Sequence, residues 1–128
     1  LESIFLIAPN TKINRIKEIS KYASGFLYYV SLKGVTGAAT LDVVKTIEQL
    51  NSIKESIDLP LAVGFGIKDA KTAKILSSAA DAIVIGSAIV NIIEKELNNK
   101  SKVNNDIMKL MRPIRTKLDE SIAFGDKA

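Results

Sequence analysis

The chain has 128 residues, 47% of them apolar and 25% charged, with a formal net charge of +4. It contains no Cys and no His, which excludes a disulfide framework, a thiolate site and the commonest general base and metal ligand. No apolar run reaches the ~18 residues a membrane span needs, and the basic residues are interleaved with acids and lack the aromatic partners of a nucleic-acid platform.

These features lead to an expectation of a single cytoplasmic domain over residues 1–128, with neither a nucleic-acid nor a membrane partner. A start at Leu1 rather than Met, directly before a strand, suggests a missing upstream segment.

The first expected element is a buried strand in Ser3-Ile4-Phe5-Leu6-Ile7-Ala8, ended by Pro9-Asn10. Thr11 is expected to cap a helix with Ile13, Ile16, Ile19 and Ala23 on one side, and Gly25 to stop it. Phe26-Leu27-Tyr28-Tyr29-Val30 reads as a second strand, rich in aromatic and branched residues. A small-residue loop, Ser31 to Thr40, carries Gly34 and Gly37. It suits either a hinged lid or an ordinary connection.

A helix bearing Val43, Val44, Ile47, Leu50 and Ile53 follows, broken by Asp58-Leu59-Pro60. The third strand, Leu61-Ala62-Val63, runs into Gly64-Phe65-Gly66. Asp69 then caps a helix with Ala70, Ala73, Leu76 and Ala80. The fourth strand, Ala82-Ile83-Val84-Ile85, runs into Gly86-Ser87 and an apolar helix through Ile89, Ile92, Ile93 and Leu97. A last amphipathic helix carries Ile107, Leu110, Met111, Ile114, Leu118 and Ile122, with Pro113 expected to kink or split it.

The order is β-α repeated four times. The strands are continuously apolar rather than alternating, the pattern of a parallel sheet covered on both faces by helices.

Two glycine turns carry the functional signal. Glycines let a ligand approach the backbone closely. A helix opening at Ser87 would aim unpaired N–H groups and a positive dipole end at an anion. Phosphate-binding (β/α)8 barrels place such sites after their last two strands. Gly86-Ser87 is equally readable as a plain turn with Ser87 as N-cap. Tyr28 either orients a substrate at the barrel mouth or fills the core. Glu2, Asp42, Asp58, Asp69 and Asp81 lie at caps, turns or helix starts. None follows a strand as a catalytic carboxylate would, so no catalytic residue, metal or cofactor is assigned.

Together these stretches resemble one family. Tyr28 to Ala38 is similar to the sixth strand and flexible sixth loop of the tryptophan synthase alpha chain. Gly64-Phe65-Gly66-Ile67 resembles its seventh loop, and Gly86-Ser87-Ala88-Ile89-Val90 with Ile92-Ile93-Glu94 its eighth strand end and phosphate helix. Phe5 to Asn10 resembles its fifth strand. The resemblance implies the C-terminal four βα units of a TIM (β/α)8 barrel, a half-barrel.

The implied activity is retro-aldol cleavage of indole-3-glycerol phosphate to indole and glyceraldehyde 3-phosphate, with indole passed to a tryptophan synthase beta chain. By position, Gly37, Gly66, Gly86 and Ser87 would hold the phosphate, and Tyr28 would border the indole–glycerol part. Thr36 would be the loop residue that meets the catalytic aspartate, and Gly64, Phe65 and Val84 would line the pocket. The family's catalytic glutamate and aspartate belong to its first half. Another phosphate-binding barrel enzyme, or a non-catalytic half-barrel that binds phosphate, fits the same residues less specifically.

Overall fold

Four short apolar segments pair in chain order into one parallel sheet, β1 (Phe5–Ile7), β2 (Leu27–Val30), β3 (Leu61–Gly64) and β4 (Ala82–Val84). The computed structural model describes residues 1–31, 39–64 and 66–125. Between and after the strands run α1 (Ile13–Ser20), α2 (Ala39–Lys54), α3 (Ala70–Leu76), α4 (Ser87–Lys95) and α5 (Lys100–Gly125). Every strand pair is parallel, so every connection is a helical crossover.

The register sorts side chains onto two faces. Ile7, Tyr29, Val63 and Ile83 form one row, and Phe5, Leu27 and Leu61 another. Together they make the helix-facing side, because successive residues of a strand point to opposite faces. The inner face carries Leu6, Tyr28, Ala62 and Ala82 in one row and Val30, Gly64 and Val84 in the next.

The core lies between the sheet and its helices. Ile7, Leu27, Tyr29, Leu61 and Val63 pack with Ile16, Leu50, Ile53, Ala73, Leu76 and Ile114. At ~1.5–3 kcal/mol for each large apolar side chain removed from water, this cluster dominates the favourable side of folding. Tyr29 keeps its hydroxyl satisfied within it by donating to Gln49 Oε1 of α2. Burial pushes the Tyr29 phenol pKa up.

The sheet is not equally covered along its width. All four residues of β3 are buried, whereas β1 buries only Ile7 and β4 buries none. Of the two strands with neighbours on both sides, β3 is buried throughout and β2 at alternate residues, so the expected two-sided cover holds for β3 alone.

Several local expectations are corrected. Thr11 does not cap α1: Lys12 holds that position, and Thr11 Oγ1 instead accepts from the Ala8 N–H at 3.0 Å, closing the turn after β1. Helix α1 ends at Ser20 with Lys21 as C-cap, so Gly25 is not its stop but part of the turn into β2. Strand β2 begins at Leu27, without Phe26. Val44 is exposed on α2. Ala80 lies beyond α3 yet is buried.

Pro113 does not split α5, which continues from Lys100 to Gly125. Its neighbour Ile114 is fully buried, and packing of this helix on α3 offsets the hydrogen bond the proline cannot donate. Asp69 does cap α3, accepting from Thr72 N at 2.8 Å and Thr72 Oγ1 at 2.9 Å. Those bonds, the backbone one first, hold its carboxyl pKa below the usual range.

Candidate functional site at the C-terminal ends of the strands

The sheet has two chemically different ends. At the N-terminal end, Asp81 precedes β4 and fastens three elements. Its Oδ1 meets Lys54 Nζ at 2.8 Å, and its Oδ2 accepts from Leu61 N at 2.8 Å. Its own N–H donates to Leu61 O at 2.8 Å. Partial burial pushes the carboxyl pKa up, but the Lys54 ammonium and the Leu61 N–H outweigh it and hold the group below its ordinary value. The sequence shows Asp81 only as one more acid at a turn. Its role becomes visible once the register brings Leu61 and Lys54 beside it.

The C-terminal end carries bare backbone instead. Gly64 closes β3 opposite Val84 of β4 and Val30 of β2. The Tyr28 ring lies directly over Gly64. A Cβ on that residue would stand 2.1 Å from Tyr28 Oη and 2.7 Å from its Cε2. No side chain fits there while the ring holds its place. Tyr28 and Gly64 are thus one packing unit on the inner face, and Val84 lies in the row of Gly64.

Two residues beyond Gly64, Gly66 turns the chain with φ 46, in the left-handed region that favours glycine. Ile67 follows with its side chain fully buried and anchors the loop to the core. In the sequence Ile67 is only the residue after Gly64-Phe65-Gly66, and nothing local marks its packing role.

Two residues beyond Val84, Gly86 sits at the N-cap of α4. Both Ile89 N and Val90 N bond to Gly86 O, at 2.9 and 3.0 Å. The first N–H groups of a helix have no carbonyl within it to bond, which leaves those of Ser87 and Ala88 unclaimed by α4. Ser87 is therefore the first residue of the helix rather than its cap, and the plain N-cap reading of Ser87 is set aside.

Among the described residues, no atom lies within 4 Å of where a Cβ on Gly66 or Gly86 would stand. For Gly86, φ is −112, open to any residue, so neither backbone conformation nor described neighbours demand glycine there. Open space above two adjacent strand ends, with unpaired N–H groups at its edge, is the geometry an oxyanion occupies.

Gly64 and Val84 are thus in register at the C-terminal ends of β3 and β4, Gly66, Gly86 and Ser87 follow them in the chain, and the Tyr28 ring reaches Gly64 from one level lower on β2. Thr36, Gly37 and Phe65 lie outside the described residues, as does the Gly34 to Ala38 part of the proposed lid. Among the described residues there is no group of three or more acids that could hold a metal ion. No described helix is long and apolar enough to cross a membrane.

The family model of the tryptophan synthase alpha chain matches residues 1–119. This chain belongs to the tryptophan synthase alpha chain family. A relative from Thioalkalivibrio sulfidiphilus is 49% identical over 119 residues, covering 93% of this chain and 45% of that protein. One from Nitrosococcus oceani is 45% identical, again over 93% of this chain and 44% of its own length.

The fold agrees. The tryptophan synthase A-subunit of the hyperthermophile Pyrococcus furiosus matches with a TM-score of 0.75 at 30% identity, over 91% of this chain and 45% of that one. The chain thus spans less than half the length of the relatives it matches. It corresponds to the C-terminal half of the family's barrel, four parallel βα units.

Proposed function

We propose that this chain supplies the substrate-gripping half of an enzyme that cleaves indole-3-glycerol phosphate to indole and glyceraldehyde 3-phosphate in tryptophan biosynthesis. The observation that carries the reading is the open space beside Gly66 and Gly86, bordered by the unclaimed N–H groups of Ser87 and Ala88.

In this reading the phosphate docks at the opening of α4. It is held by backbone N–H groups, the Ser87 hydroxyl and the positive end of the helix dipole rather than by a lysine. Gly66 and Gly86 keep Cβ atoms out of the anion's space. Tyr28, fixed against Gly64, would border the indole–glycerol portion, with Val84 lining the pocket. Phe65 would line it too, and Thr36 and Gly37 would act from the sixth loop.

The chemistry needs a proton acceptor and a proton donor near the breaking carbon–carbon bond. Asp69 is committed to capping α3 and Asp81 to the opposite end of the sheet. Catalytic carboxylates would therefore come from the other half of the barrel. A P. furiosus relative is known as part of an α2β2 complex, and a beta chain that receives indole is the corresponding partner here. A cytoplasmic setting goes with that role.

The test joins this chain to the preceding four βα units of a relative and measures indole release. Activity in the joined protein, lost in Gly86→Val and absent from the 128-residue chain alone, supports the reading. Robust turnover by the chain alone would place a catalytic acid within it and overturn the division of roles.

A further inference from the structure

The turns at the two ends of the strands differ in charge. At the C-terminal end, the turns after β1 and β3 carry Lys12 and Lys68 against Asp69, and after β4 no charged residue precedes Glu94. At the N-terminal end, the turns leading into β2, β3 and β4 carry Glu55, Asp58 and Asp81 against Lys21. The first turns of α1, α3 and α4 hold no acid. Arg15 and Lys71 stand in two of them instead, where the positive end of the helix dipole favours acids. Helix stability therefore does not account for the cations at this end.

Two of these four basic groups have a local partner. Arg15 pairs with Glu18 at 3.3 Å, and Lys71 faces the Asp69 carboxylate. Lys12 and Lys68 are exposed and form no ion pair among the described residues. Lys68 comes two residues after Gly66 and directly after Ile67, whose buried side chain fixes the backbone there. Two residues of chain span at most ~7 Å, so Lys68 stands within about one Debye length, ~10 Å at 0.1 M salt, of an anion beside Gly66. Lys12 ends the turn after β1, two strands and thus about 10 Å from β3 across the sheet.

We infer that Lys68, with Lys12 farther along the same rim, draws a phosphate dianion from solution toward the glycine turns. This rests on the phosphate reading above and adds a second role to it: backbone N–H groups hold the anion, and the rim lysines bring it in. Lys68 acts through its field and not by contact, because an exposed ammonium on a flexible stem is hydrated and screened. The acids of the N-terminal turns give the field its direction, since they oppose an anion at the wrong end of the strands. A single charge about 10 Å from a dianion in water changes affinity by about 2–4-fold, and the effect falls with distance. Lys68 therefore contributes more than Lys12.

Titration of the 128-residue chain with inorganic phosphate, followed by the amide shifts of Gly66, Gly86 and Ser87 at low and high salt, tests this. At about 20 mM NaCl, Lys68→Gln should raise the dissociation constant about 2–4-fold and Lys12→Gln by less. At about 0.5 M NaCl both variants should bind like the wild type, because the field no longer reaches the site. Lys21→Gln makes the same change in net charge at an exposed position of the opposite end and should leave binding unchanged at either salt. Lys68→Gln binding like the wild type at low salt overturns the inference, and so does equal weakening by Lys21→Gln. A loss in Lys68→Gln that persists at high salt overturns it as well, since the lysine would then grip the anion directly. In each of these cases the phosphate site itself stands. Shifts absent from the glycine turns in the wild type reject that site, and the inference falls with it.

Discussion

The two ends of the strands are built to different ends. At the N-terminal end the backbone is covered by committed side chains, with Asp81 tying β3, β4 and the last residue of α2 together. At the C-terminal end glycines leave the backbone bare: Gly66 and Gly86 stand clear of the other described residues, and α4 begins with no side-chain cap. Groups that stabilise the fold collect at one end, and groups that could meet a ligand at the other, the division expected of a (β/α)8 barrel. A glycine without a packing or conformational reason is therefore the most informative residue here, and Gly86 is that residue.

Substitutions at successive levels of the sheet should separate the two ends. Leu61→Ala, in the buried first position of β3, should lower stability by about 2–5 kcal/mol, read from the urea midpoint. Gly64→Ala comes next. Its Cβ collides with Tyr28, and the overpacking should cost about 1–3 kcal/mol. Removing the ring should relieve it, so that Tyr28→Ala with Gly64→Ala is less harmful than the sum of the two changes. Strict additivity would mean that the ring does not rest on Gly64.

A smaller effect belongs to the N-terminal end. Asp81→Asn should cost about 1 kcal/mol at pH 7, because a charge-assisted bond is lost but both Lys54 and Asp81 are partly exposed and screened. The native Asp81 pKa is depressed below its ordinary 3.8. Its contribution is thus full above that value and fades as the pH falls through the native one. Wild type and Asp81→Asn should therefore converge in stability as the pH falls below the ordinary carboxylate range and through the depressed native pKa. A gap that persists there would remove the charge from the explanation.

The smallest stability effects belong to the glycine end. Gly86→Val should change the urea midpoint little, since its φ suits any residue and nothing lies near its Cβ, yet it should abolish phosphate binding. Ser87→Ala should weaken that binding by only about 0.5–1.5 kcal/mol, the worth of one neutral hydrogen bond. A Gly86→Val chain that binds normally would reduce the open end to an ordinary turn.

Much of this was legible in the sequence. The βα alternation placed all four strands within a residue or two, and Asp69 announced the α3 cap, because local chemistry decides both. The Gly-x-Gly and Gly-Ser turns point to the candidate site because close approach to backbone requires small residues. What was not legible depends on neighbours distant in the chain. The apolar stripe of α4 shows that the helix has a buried-type face, but not whether this chain contains its cover. Asp81 needs the β3–β4 pairing before its partners exist. Thr11 could bond forward into α1 or back to Ala8, and the β1 turn wins. Gly64 reads in the sequence as a glycine lining the pocket, and in the fold it answers first to the Tyr28 ring.

The bare ends of β3 and β4 are expected to take an oxyanion. Amide chemical shifts followed during titration of the chain with inorganic phosphate address this directly. The largest changes should fall on Gly66, Gly86, Ser87 and Ala88, and should vanish in Gly86→Val. Shifts that centre on lysines of the outer helices, or that persist unchanged in Gly86→Val, would contradict it.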